Sequence, residues 1–166
     1  MMHYVGLGSI DAPIYIYIEN TPPLPFYQQL DGMHLMQQDE IFNIAQQTGN
    51  HWRKIFNVFA KLEFERSPQS FTQWQHLRDE QLLQENAPQC LLFNGSEIVA
   101  KTPNKIHIVM GKTYAAKLAV AQQCLWLNEF FAIDEKRKII ICPYFDYRQL
   151  SNLKISQLAR LIDQLS

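Results

Sequence analysis

Cysteine is scarce in this chain, and what there is cannot build a framework. The 166 residues hold only Cys90, Cys124 and Cys142, odd in number, far apart and without a CxxC pair. That spacing excludes a disulfide scaffold and a cysteine zinc site, and it points to a reducing compartment. Long apolar runs are also missing. Stretches such as Ile139 to Cys142 are far too short to span a bilayer. Residues Met1 to Ser9 lack the basic flank and apolar run of a signal peptide. A cytoplasmic protein with no membrane association is the expectation.

Further absences narrow the chemistry. No Gly-x-Ser-x-Gly elbow occurs, which argues against a serine hydrolase. His3, His34, His51, His76 and His107 form no i,i+4 pair and no cysteine spacing, so neither a metal nor a cofactor is expected. Gly111-Lys112-Thr113 after a strand resembles a phosphate loop. The Walker pattern needs a further glycine five residues before that Gly-Lys pair, and Ile106 stands there. One glycine cannot supply the nest of backbone N–H groups.

What is present reads as an ordinary globular chain. Apolar residues make up 47% and charged residues 19%, enough for a core that needs no staple. Net charge is −1, with no global signature for nucleic acid. Its distribution is uneven: residues 1–100 carry five Lys/Arg against eleven Asp/Glu, residues 101–166 ten against five. The basic half offers an anion-attracting face if the fold gathers it.

Strands and helices alternate along the chain. Pro13 to Ile18, Cys90 to Phe93, Ile106 to Met110 and Ile139 to Cys142 are rich in β-branched and apolar residues and read as strands. Helical spacing marks Gln38 to Gln47, a helix capped by Asn50 with Trp52, Ile55, Phe56, Phe59 and Leu62 on one face, Phe71 to Glu85, Tyr114 to Gln122, Leu125 to Phe131, and a closing helix through Leu158 and Ile162. Ser67 to Ser70 reads as a break. Asn94-Gly95 signals a tight hairpin, so Ser96 to Lys101 is either a returning strand or a short helix capped by Ser96. The expected fold is one α/β domain over residues 1–166. It has three layers, α/β/α, around a short, mostly parallel sheet of about four strands.

In such sheets ligands bind beyond the carboxyl ends of the strands. Three segments qualify. Glu19 and Asn20, before the proline-rich Thr21 to Pro25, are candidates for a general base or water-orienting pair. Gly111, Lys112 and Thr113 are candidates for holding an anion. Pro143 to Arg148 follows the last strand with three aromatics, Tyr144, Phe145 and Tyr147, together with Asp146 and Arg148. Aromatic rings stack on bases and arginine clamps phosphate.

Taken together, three of these segments are similar to motifs of the uracil-DNA glycosylase-like superfamily. They are the first strand with its loop Asn20-Thr21-Pro22-Pro23, the run from Pro103 through Gly111-Lys112 to Ala116, and Cys142-Pro143 at the last strand end. The resemblance implies four parallel strands and a site of Glu19, Asn20, Lys112, Cys142 and Pro143. Two departures stand out. The first motif lacks the usual leading glycine and aspartate, and Cys142 occupies the place of a histidine that contacts the departing base. The resemblance therefore implies binding of a nucleotide or nucleic acid with catalysis lost or altered. The competing expectation is a non-catalytic interaction domain, forming a homodimer or binding a protein partner.

Overall fold

The computed structural model describes residues 2–67 and 71–166; most of the break expected at Ser67 to Ser70 lies outside them. In chain order the elements are β1 (Gly6–Leu7), β2 (Ile14–Tyr17), α1 (Pro25–Gln28), β3 (Met33–His34), α2 (Glu40–Thr48), α3 (Asn50–Arg66), α4 (Trp74–Glu80) and β4 (Gln89–Leu92). They continue with α5 (Ser96–Lys101), β5 (Ile106–Met110), α6 (Lys112–Lys117), a 3-10 turn (Ala121–Gln123), β6 (Leu125–Trp126), β7 (Ala132–Asp134), β8 (Ile139–Cys142) and α7 (Asn152–Leu165). No described helix is long and apolar enough to cross a membrane.

The sheet is larger than the expected four strands, and it is mixed. Its order is β3-β1-β4-β2-β5-β8-β7-β6 among the described residues. The centre, β4-β2-β5-β8, is parallel, as expected. The extra strands flank it: β1 is antiparallel to β4, β7 to β8 and β6 to β7, while β3 is parallel to β1. These additions are two or three residues long, too short to show a period-two pattern. Short links also dictate their direction. Residues 135–138 are all that join β7 to β8, and a turn that short permits only an antiparallel return. At the other edge, a Cβ on Gly6 would sit 2.0 Å from the Leu91 carbonyl oxygen, so only glycine lets β1 approach β4 this closely.

Side-chain alternation feeds two layers. Ile14, Ile16 and Ile18, with Ile108, Met110, Ile140 and Cys142, face a large core built with Trp52, Phe56 and Phe59 of α3 and Ile155, Leu158 and Ile162 of α7. Tyr15, Tyr17, Val109, Ile139 and Ile141 face a smaller one closed by Ile98 of α5 and Tyr114 and Ala115 of α6. Both faces are covered, which explains the unbroken apolar run of β8 and the run of β5 that only the buried His107 interrupts.

Three local expectations need correction. Leu125 to Phe131 is not helical but forms β6 and a turn. The Asn128 side-chain oxygen accepts the amides of Phe130 (2.8 Å) and Phe131 (2.9 Å), which reverses the chain. Asn50 is the first residue of α3 rather than its cap; Gly49, at φ 86°, holds that place. The segment Ser96–Lys101 resolves as helix, again with glycine, Gly95, at the N-cap and no cap from Ser96. The helices expected over Phe71 to Glu85 and Tyr114 to Gln122 are shorter than their apolar patterns. Each stops where a residue turns left-handed soon after, Leu83 at φ 57° and Ala119 at φ 59°.

Candidate functional site

The parallel strands β2, β5 and β8 end side by side, with Tyr17 beside Val109 and Met110 beside Cys142. The chain leaving each strand contributes one wall of a single cleft of about 760 Å³. Glu19 and Asn20 follow β2, and Gly111, Lys112 and Thr113 follow β5. Pro143, Tyr144 and Arg148 follow β8, with Cys142 at the strand end itself. The turn at Gly111 needs φ 92°, a left-handed value, and its amide donates to the Cys142 carbonyl at 2.8 Å, tying two strand ends together.

Of the residues singled out from the sequence, Asp146 does not line the cleft. Its carboxylate accepts the Arg148 amide at 2.9 Å and its carbonyl accepts those of Gln149 and Leu150, so it shapes the loop that presents Arg148. The loop's aromatics divide. Phe145 is fully buried, edge-on to Phe59, and cannot stack on a ligand. Tyr147 is exposed outside the cleft, beneath the Lys54 ammonium. Tyr144 alone reaches the cleft, its ring stacked on His51 at 5.8 Å and its hydroxyl 3.2 Å from His51 Nε2. Burial, reinforced by Asp146 and Glu19, pushes the Tyr144 phenol up to about 12, so it is neutral at physiological pH.

Sequence reasoning missed Glu129, Phe130 and Lys154 as lining residues. The first two lie in the turn misread as helix. Lys154 enters from α7, and a rule built on strand ends does not look at helices.

Three cations face the cleft, Lys112, Arg148 and Lys154, against two carboxylates, Glu19 and Glu129. Glu19 is engaged by Lys117. Among the described residues no carboxylate oxygen lies within 4 Å of the side-chain nitrogens of Lys112, Arg148 or Lys154. Two of them rest on aromatic faces: Lys112 Nζ is 4.8 Å from the Trp126 ring centroid, and Lys154 Nζ is 3.5 Å from that of Phe130. Cys142 contributes little chemistry. Its side chain is buried and its thiol donates to the Val109 carbonyl at 3.8 Å. Burial also raises its pKa far above the ordinary thiol range, so no thiolate forms there.

A family model matches residues 5–163. The chain belongs to DUF6942, a family of unknown function. That span runs from just before β1 into the last turn of α7, so every wall of the cleft lies within the residues that match DUF6942. No curated protein and no solved structure matches this DUF6942 chain.

Proposed function

We propose that the cleft binds the phosphate and base of a nucleotide or of a nucleic acid strand, without cleaving it. The observation that carries this reading is the convergence of Lys112, Arg148 and Lys154, all without a carboxylate partner, around a cleft that also holds Tyr144 and Phe130. Cations without partners take phosphate, and aromatic rings beside them take a base. The likeness to the uracil-DNA glycosylase-like superfamily rests only on the four parallel central strands, since the whole sheet has eight strands and is mixed. Two features favour binding over hydrolysis. Glu19, which would orient a water, is held by Lys117, and Cys142 is too buried to touch a departing base. Free thiols at Cys90, Cys124 and Cys142 fit residence in the cytoplasm. A thermal-shift titration with nucleoside monophosphates and a single-stranded oligonucleotide at low salt tests the proposal. Stabilisation of the wild type that Lys112→Ala and Arg148→Ala both reduce is the expected result, and no shift with any of these ligands overturns it.

A second reading rests on a different place. β6 is one of the two edge strands, and it carries Leu125 (71% exposed) and Trp126 (39%), followed directly by Leu127 (47%), with no charged residue or proline among the three. This edge suits a homodimer or a protein partner. Light scattering at rising concentration, with Leu125→Lys as the variant, tests it: a strict monomer contradicts the homodimer.

A further inference from the structure

A second hollow opens between α2, α3 and α4, sharing no lining residue with the cleft. It measures about 310 Å³. Its polar side is built by Arg53 and Asn57 on α3 and Arg78 and Asp79 on α4. Arg78 is fixed from several directions. Nη1 donates to Asn57 Oδ1 at 2.9 Å, Nε donates to Asp79 Oδ1 at 2.8 Å, and the guanidinium lies 5.4 Å from the Trp74 ring centroid. Its remaining hydrogen bond, from Nη2 to Asp79 Oδ2, is long at 3.4 Å. Arg53 is exposed and pairs with no carboxylate among the described residues. α2 adds Ile41, which is buried, Phe42, which is 59% exposed, and Ala45, together with the polar Gln46.

We infer that this groove is a binding site for a small monocarboxylic acid with an apolar body. Two arginines against one aspartate leave a single positive charge, which matches a monoanion better than a phosphate dianion. Asp79 takes the Nε and Nη2 edge of Arg78 and Asn57 one proton of Nη1, which leaves one proton on each of Nη1 and Nη2 to donate to a ligand carboxylate from a guanidinium already held in place. Arg53, exposed and without a carboxylate partner among the described residues, supplies the second contact. Ile41 and Phe42 give the ligand's apolar body somewhere to leave water, and the volume sits at the lower end of small-molecule sites.

Calorimetric or NMR titration with phenylacetate tests this, with phenylacetamide and inorganic phosphate as comparison ligands. Phenylacetate is expected to bind saturably and more tightly than either. Arg53→Gln is a surface change that leaves folding intact, and it is expected to weaken phenylacetate by about tenfold. Lys112→Ala, in the other cleft, is expected to change nothing. Absence of saturable phenylacetate binding overturns the assignment. So does equal binding of the amide, indifference to Arg53→Gln, or loss of binding on Lys112→Ala, which would place the acid in the strand-end cleft instead.

Discussion

The hydroxyl of Tyr17 lies 2.7 Å from Nδ1 of His107, and both side chains are fully buried. The neighbouring bond settles who donates. His107 Nε2 is 2.8 Å from the Thr102 carbonyl, which can only accept, so the proton sits on Nε2 and Nδ1 accepts from Tyr17. This chain of bonds ties β2 to β5 and to the end of α5. Tyr17→Phe leaves Nδ1 without a donor in an apolar layer, which is expected to cost about 1–3 kcal/mol in urea unfolding. An unchanged midpoint would mean that the pair contributes nothing.

Acid should find the same histidine. Burial is the main influence on His107 and lowers its pKa below 6.5, only partly opposed by the bond to Thr102. The unfolded chain therefore takes up this proton first. The stabilising contribution is complete above pH 6.5 and declines as pH falls below it.

Glu63 works in the opposite sense. Burial raises its carboxyl from 4.5 to about 7, against the lowering by Gln81 and Arg66. Here the folded state holds the proton longer. Its contribution is present below pH 4.5 and is lost as pH rises through 7. Glu63→Gln removes that loss. The variant should gain up to about 3 kcal/mol over the wild type at pH 8 and almost nothing at pH 4, read from paired denaturation curves. A gain independent of pH would refute the assignment.

Gln89 offers a separate check on the core. It is buried on β4, and neither its side-chain oxygen nor its nitrogen has a hydrogen-bond partner among the described residues. Replacing it by Met keeps the length and removes both orphans. Gln89→Met is expected to raise stability by about 1 kcal/mol. A loss of stability would show that the amide has a partner in solution, such as a buried water.

These interior details also show what could be read from the chain without coordinates. The four central strands were visible because burial on both faces left apolar runs such as Ile139 to Cys142. Their carboxyl ends pointed to Glu19, Lys112, Tyr144 and Arg148, and the fold brings these onto one cleft. The flanking strands were not visible, since two residues carry no periodicity. Leu125 to Phe131 has helical composition, yet the Asn128 side chain captures the amides that a helix would use. Lys117 was not suspected as the partner of Glu19, because the two are 98 residues apart in sequence and only the fold makes them neighbours.

That ion pair separates binding from catalysis at the cleft. If Glu19 were a working general base, Glu19→Gln would abolish activity. In the present account Glu19 only subtracts from a positive cleft. Glu19→Gln is therefore expected to tighten a phosphate-bearing ligand by about two- to fivefold, and Lys117→Ala to weaken it by a similar factor. Weaker binding by Glu19→Gln would contradict this role.

The most direct measurement is the salt dependence of fluorescence anisotropy for a labelled single-stranded oligonucleotide, compared between the wild type and a variant with Lys112, Arg148 and Lys154 all changed to Ala. Three phosphate contacts predict a slope of about −2 for log K against log salt in the wild type, flattened towards zero in the variant. Absence of binding at low salt, or the same slope in both proteins, would contradict a phosphate-binding cleft at the strand ends.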